Sequence, residues 1–197
     1  PGGQSPIVNA GDVSNTGVEL ELVYYSDRKK EFKFNINFNT TYLKNEVLKT
    51  PDGVEFIPGA AFGVGGGIAT RFEEGFAIGY FHGLETDGVF QSQAEIDGAT
   101  VVQSGAKPGD LRYVDQNGDG VISFNDDTDR KNLGSAIPDF TFGFNVGAEY
   151  KRFDFSMNIF SAVGQQIIRN YERQQPYANQ LDYVINRWVG SGTSTEN

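Results

Sequence analysis

Cysteine is missing from all 197 residues. Its absence excludes a disulfide framework, a zinc ribbon, a thiol nucleophile and cysteine-ligated iron–sulfur clusters. Histidine occurs once, as His82, in an aromatic and glycine-rich stretch with no nucleophile beside it, so a catalytic triad has little to work with. Positive charge is scarce as well. Sixteen Lys and Arg stand against 26 Asp and Glu, giving a formal net charge of −10 and a pI near 4.5, and the longest basic stretch is Arg28-Lys29-Lys30. Phosphate binding needs clustered Lys and Arg, so no nucleic acid is expected as a partner. No apolar run approaches the roughly 20 residues of a membrane-spanning helix, and the first residues, Pro1 to Pro6, lack the charged-then-apolar pattern of a leader. Helical spans are thereby excluded, whereas β-barrel spans, which need only about 9–11 alternating residues each, are not.

What the chain does have is 13% aromatic residues and 25 glycines, with the aromatics falling at every second position. In residues 17–25, Val18, Leu20, Leu22 and Tyr24 share one face while Glu19 and Glu21 point the other way. After a polar turn, Phe32, Phe34, Ile36 and Phe38 alternate with Lys33, Asn35, Asn37 and Asn39. A period of two marks strands, and the pair predicts a hairpin over about 17–42. A second hairpin is predicted over about 139–161. There Phe140, Phe142, Phe144, Val146, Ala148 and Tyr150 oppose Thr141, Gly143, Asn145, Gly147 and Glu149. Lys151-Arg152 then turns the chain into Phe153, Phe155, Met157 and Ile159, opposed by Asp154, Ser156 and Asn158. Gly75 to Tyr80, with Phe76, Ile78 and Tyr80 alternating, reads as a fifth strand. The polar stretch from about Leu84 to Pro138 is too long to be an idle loop in a compact domain. Leu181, Val184, Ile185 and Trp188, at i, i+3, i+4 and i+7, predict a short loop helix over about 179–189, ended by Gly190-Ser191-Gly192.

The fold class is therefore all-β and antiparallel. Short turns at one end of the strands, long connections at the other, and one aromatic face against one Asn/Gly/Ser/Glu face suit an outer-membrane barrel. A soluble β-sandwich has the same alternation, and period alone leaves both open.

Particular segments carry a more specific signal. Asn9-Ala10-Gly11-Asp12-Val13-Ser14-Asn15-Thr16-Gly17-Val18-Glu19-Leu20-Glu21-Leu22 resembles the late-barrel signature of the SusC/RagA-type TonB-dependent outer-membrane transporters of Bacteroidetes. So do Ile78 to Gly83 with Thr86 to Ser92, Ala106 to Tyr113, Asp115 to Ile122, Leu133 to Phe144, and the Arg187-Trp188 pair. The resemblance runs in order along nearly the whole chain. It implies a Gram-negative outer-membrane importer of oligosaccharides or peptides: a barrel of about 22 strands set in outer-membrane lipid, plugged by an N-terminal domain that couples to TonB, and lidded by a SusD-like surface lipoprotein. It implies no enzyme. Residues 1–197 then correspond to an interior slice of the barrel domain and its extracellular loops, the plug and TonB-coupling region being missing. The few strands read here cannot close even the smallest membrane barrel, which needs about eight. The alternative is a soluble, calcium-stabilised, carbohydrate-binding β-sandwich.

One motif suggests a cation. Asp115 to Asp126 matches a calcium loop position by position, with oxygen-bearing side chains at Asp115, Asn117 and Asp119, Gly120 at the turn, the Val121 carbonyl, Ser123, and a closing carboxylate at Asp126. A hard Ca²⁺ ion takes such a shell of oxygens. The motif departs from an EF-hand in closing with Asp rather than Glu and in lacking flanking amphipathic helices, which points to a structural site of extracellular affinity, about 10⁻⁴–10⁻³ M. The competing reading is two turn dipeptides, Asn117-Gly118 and Asp119-Gly120. Elsewhere, Glu19 and Glu21 read as a hydrated face rather than a glycosidase pair. Gly63 to Gly67 lacks the third glycine and the βαβ setting of a dinucleotide loop. Tyr171, Tyr177, Tyr183 and Trp188 either stack on sugar rings or hold a loop together.

Overall fold

The computed structural model describes residues 11–62, 66–169 and 181–194. Its strands, in chain order, are β1 (Asp12–Tyr25), β2 (Phe32–Lys49), β3 (Phe56–Pro58), β4 (Ala61–Phe62), β5 (Gly67–Ile68), β6 (Thr70–Glu73), β7 (Tyr80–Leu84) and β8 (Thr86–Val89). The helix α1 (Gln93–Asp97) precedes β9 (Leu111–Tyr113), β10 (Arg130–Gly134), β11 (Phe140–Tyr150) and β12 (Phe153–Val163), and a 3₁₀ turn covers Asp182–Asn186. The chain divides into two compact units, the first holding 11–59, 70–80 and 134–168 and the second the remaining described residues.

The first unit is built on a four-stranded antiparallel sheet in the order β1-β2-β11-β12. Both predicted hairpins form. Asp27 closes the first turn by accepting the Lys29 N–H at 2.9 Å, and the Ser26 hydroxyl accepts the Phe34 N–H at 2.7 Å. The second turn is the two residues Lys151-Arg152, with Lys151 at φ 57°, the left-handed region that tight hairpins demand. The registers align the apolar positions of all four strands. Leu22, Phe38, Phe144 and Ile159 form one row, Tyr24, Ile36, Val146 and Met157 the next, and Phe32, Tyr150 and Phe153 the row nearest the turns. At the other end Val18, Tyr42, Phe140 and Val163 stand side by side, with the Tyr42 and Phe140 rings 4.9 Å apart.

These apolar side chains are not a core. Leu20, Leu22, Tyr24, Phe32, Phe140, Phe155 and Ile159 are all exposed, and Phe153 is 80% exposed. The buried core of this unit lies where β2 runs on past Tyr42. Val47 is buried, its N–H donates to the Phe76 carbonyl at 2.8 Å, and Tyr80 is buried with its ring stacked on Phe76 at 4.5 Å. The predicted strand over Gly75–Tyr80 is therefore corrected. Residues 75–79 are turns, because Gly75 and Gly79 take φ values of 87° and 66° and the Asn45 side chain captures the Ile78 N–H at 2.7 Å. β2 ends at Pro51-Asp52-Gly53, where proline offers no N–H to a ladder.

The second unit contains most of the long polar stretch, which is ordered rather than plain loop. β8 pairs with β9, and Ser92 caps α1 by accepting the Glu95 N–H at 3.2 Å. The Gln103 side chain bonds the Leu111 carbonyl (2.9 Å) and the Tyr113 N–H (3.2 Å), standing in for a strand beside β9. A small core holds Val89, Phe90 and Ile122.

Candidate functional site

Residues 115–129 follow β9 and belong wholly to the second unit. Asp115 is the keystone of the first half. One of its carboxylate oxygens accepts the Gly118 N–H at 2.7 Å and the other the Gly120 N–H at 2.8 Å. Asn117 accepts from the Asp119 N–H (2.9 Å), and Asp119 accepts from the Val121 N–H (2.8 Å) and from the Asn117 amide (3.0 Å). Gly118 and Gly120 permit this winding at φ 76° and 84°. Three oxygen-bearing side chains at alternate positions are thus drawn to one side of a single tight turn.

The second half is organised separately. Asp126 accepts both the hydroxyl (2.6 Å) and the N–H (3.0 Å) of Thr128. Among the described residues no group of three or more His, Cys, Asp or Glu side chains converges as a metal shell. The structure therefore unites Asp115, Asn117 and Asp119 in one hydrogen-bonded turn, while Asp126 is held by Thr128 and the Ser123 N–H by another residue. The Gly120 N–H, and after it the Gly118 and Asp119 N–H groups, hold the Asp115 carboxyl below its ordinary range. Thr128, followed by Ser123 and Arg130, does the same for Asp126.

What ties the halves is a residue that the motif does not contain. Asp129 is fully buried and accepts the Gln116 N–H (3.1 Å) with one oxygen and the Ser123 N–H (2.6 Å) with the other. Asp126, Asp127 and Asp129 are close together in sequence, and nothing in the pattern marks which of them turns inward.

Beside this loop lies an open cleft of about 730 Å³, with Phe90 and Ile122 among its apolar residues and Asp87, Glu95, Arg112 and Asp115 among its charged ones. Three of these charges are mutually engaged. Arg112 donates to Asp87 at 2.6 Å and to Glu95 at 2.6 Å, and the Asp87 carboxylate raises the Arg112 pKa.

The other sequence candidates resolve individually. Trp188 donates its indole N–H to Gln91 at 3.3 Å, and its ring lies so close over Gly109 that a Cβ there would sit 2.5 Å from it. That is loop packing, with Gln91 also accepting the Gly192 N–H and donating to the Ser194 carbonyl. The helical spacing around Trp188 yields the 3₁₀ turn Asp182–Asn186. Residues 179–180, Tyr171, Tyr177, Asn9, Ala10 and residues 63–65 lie outside the described residues. Glu21 accepts the Asn37 amide at 2.8 Å within a polar sheet face. The rows of that face are Val23-Asn37-Asn145-Asn158, Glu21-Asn39-Gly143-Phe160 and Tyr25-Asn35-Gly147-Ser156.

No protein-family model matches the chain. It is similar to TonB-dependent receptor P3 of Formosa agariphila, with 33% identity over 99% of this chain and 20% of that protein. TonB-dependent receptor P26 of the same organism is 30% identical over 99% of this chain and 20% of its own length. TonB-dependent receptor SusC of Bacteroides thetaiotaomicron is 24% identical over 83% of this chain and 15% of that protein. Among solved structures, the RagAB peptide transporter matches 79% of this chain and 15% of its own chain, with a TM-score of 0.57 and 20% identity, a likeness of fold. The chain thus spans about one fifth of the curated relatives it matches most fully.

Proposed function

From a chain homologous to about one fifth of the SusC/RagA-type TonB-dependent receptors, we propose a part of the wall and of the extracellular loops of an outer-membrane importer. The relatives are receptors and transporters rather than enzymes.

The observation that carries this reading is the exposed apolar face of the four-stranded sheet. Phe153 and Val163 bound it on β12, about 33 Å apart along an extended strand. At the 35–45° tilt of barrel strands this becomes roughly 23–27 Å of height, against the roughly 25 Å apolar band of outer-membrane barrels. Aromatic residues gather at both ends, Phe32, Tyr150 and Phe153 near the turns and Tyr42 and Phe140 at the far end, as the girdles of such barrels do. A soluble sandwich would cover this face with a second sheet, yet among the described residues nothing covers Phe153 and Phe155, which stand exposed. In this reading Asn35, Asn37, Asn145 and Asn158 face the lumen and the short turns are periplasmic.

The 84–138 segment is then extracellular and offers the docking surface for a SusD-like lid lipoprotein. Coupling to TonB belongs to parts of the receptor outside this slice, and the solute is an oligosaccharide or a peptide. The Asp115–Asp126 loop holds Ca²⁺ as a structural ion. Its donor set is all oxygen, and hydrogen-bonded carboxylate oxygens keep further lone pairs for a cation. Binding requires Asp126 to turn from Thr128 toward Asp115, Asn117 and Asp119, with Ser123 and the Val121 carbonyl completing the shell.

The membrane assignment is tested by introducing single cysteines along β11, a chain that has none of its own, in the full-length receptor. A fluorophore at positions 142, 144 and 146 is expected to be quenched by nitroxide-labelled lipid, and one at 143, 145 and 147 by a water-soluble quencher. Equal quenching at odd and even positions overturns the reading.

A further inference from the structure

Asparagine followed by glycine occurs once in the chain, at Asn117-Gly118. The glycine sets the chemistry of the pair. With no side chain to hinder approach, its backbone nitrogen can reach the preceding asparagine Cγ and close a five-membered ring. The asparagines of the four-stranded sheet lack that freedom, because Asn35, Asn37, Asn39, Asn145 and Asn158 precede Ile36, Phe38, Thr40, Val146 and Ile159 within β2, β11 and β12. Asn117 and Gly118 are also exposed, and nothing lies within 4 Å of the place where a Gly118 Cβ would stand. Water reaches both groups, and no wall obstructs the ring.

The loop nevertheless holds both reacting groups. The Gly118 N–H, which must lose its proton before attack, donates to one Asp115 carboxylate oxygen at 2.7 Å. The other oxygen of Asp115 is braced by the Gly120 N–H at 2.8 Å. The Asn117 carboxamide, the group attacked, is bound at both ends by Asp119: its oxygen accepts the Asp119 N–H at 2.9 Å, and its nitrogen donates to the Asp119 carboxylate at 3.0 Å. Cγ cannot swing over the Gly118 nitrogen without breaking these bonds. A carboxylate is also far too weak a base to take an amide proton, and its negative charge opposes the anionic nitrogen that ring closure requires.

We propose that Asn117 is a site of spontaneous deamidation whose rate Asp115 holds down by binding the Gly118 N–H. In the reaction hydroxide removes the Gly118 amide proton, and the nitrogen bonds to the Asn117 Cγ. The Cγ–Nδ2 bond then breaks, and ammonia leaves with a proton taken from water, which restores the hydroxide. Water opens the resulting succinimide at either carbonyl, leaving aspartate or isoaspartate at 117. Isoaspartate carries one extra backbone carbon, which takes the side chains of 115, 117 and 119 out of their alternate spacing, so the modification ages the loop. This assignment stands apart from the barrel and calcium readings.

The test incubates the full-length receptor at neutral pH in chelator, then digests it and follows each asparagine by mass spectrometry, with isoaspartate scored by enzymatic methylation. A synthetic peptide of residues 112–122 sets the unrestrained rate. Asn117 should deamidate ahead of every asparagine of the sheet, yet about tenfold or more below the peptide, the worth of a hydrogen bond to an ionised acceptor. Asp115→Ala should recover most of that difference, Asn117→Gln should abolish the product because its ring needs six members, and Asp126→Ala should leave the rate unchanged. In the parent, hydrogen exchange at the Gly118 amide should be slowed by a similar factor, which tests the restraint without any substitution. A parent rate equal to the peptide's, an unprotected Gly118 amide, a rate unchanged or lowered by Asp115→Ala, or equal acceleration by Asp126→Ala overturns the proposal.

Discussion

The four-stranded sheet and the 81–133 segment are ordered by opposite means. The sheet rests on long ladders. Its strands run 11 to 18 residues, its backbone groups satisfy one another, and its large apolar side chains point outward. The segment has strands of three to five residues, and side chains satisfy its backbone: Asp115, Asp129, Gln103 and Ser92 each hold N–H groups that no ladder reaches. It buries Val89, Phe90 and Ile122 in a small core of its own. The difference teaches that the two regions expect different solvents. A sheet whose aromatic rows stay exposed suits the lipid contact proposed above, and a segment held by short polar links is suited to water.

The sharpest way to break this comparison is to place charge on the sheet. Phe142→Arg in the full-length receptor should destabilise the barrel by about 2–4 kcal/mol near the bilayer midplane, measured by folding titration into bilayers. Asn145→Arg on the other face should cost under about 1 kcal/mol, because lumen positions stay hydrated. Equal costs would remove the distinction between the faces.

In the polar segment the largest expected effect is at Asp129. Asp129→Ala strands the Gln116 and Ser123 N–H groups in a buried site, costing about 1–3 kcal/mol for an unsatisfied group. Hydrogen exchange should accelerate at those two amides while β11 and β12 stay protected. Protection lost across both regions together would mean that they are not independent.

Calcium supplies a smaller and conditional effect. Millimolar Ca²⁺ should slow exchange in residues 115–126, chelator should reverse it, and Asp119→Ala should abolish it. Unchanged exchange over that range of calcium would reduce the loop to its turns. Smallest is the pH response of two carboxylates of the same loop. Asp115 and Asp126 have folded pKa values below their ordinary ones, so their contribution is present above the unfolded value near 4 and is lost as pH falls through the lower folded value. Protection of the Gly118 and Gly120 amides, relative to intrinsic exchange, should decline over that acidic window, and Asp115→Asn should flatten the decline.

Legibility followed the same division. The predicted hairpins at 17–42 and 139–161 form, although β1 begins at Asp12 and β2 runs to Lys49. Those extensions carry Asn, Ser, Lys and Glu where a half-buried strand would alternate, so period cannot see them. Phe76 and Ile78 alternate with Tyr80 without forming a strand over 75–79, because Gly75 and Gly79 turn the chain and the Phe76 carbonyl is taken by the Val47 N–H. The short strands and α1 in 84–138 hold too few residues for any period to register. The loop donors at 115, 117 and 119 were readable from spacing, whereas Asp129 was not.

The amino-acid sequence by itself determined which residues share a face, because the side-chain alternation of a strand is a local property of its pleat. It likewise set which oxygens the 115–126 loop presents. Only the tertiary structure decided who stands beside whom. Thr40 bonds the Thr141 carbonyl across 101 positions of chain, Asn39 lies over Gly143, and Phe160 stands beside them on the polar face. Such neighbours depend on the register between strands far apart in the chain, and register is settled by the sum of many cross-strand contacts, with no single stretch of residues to announce it.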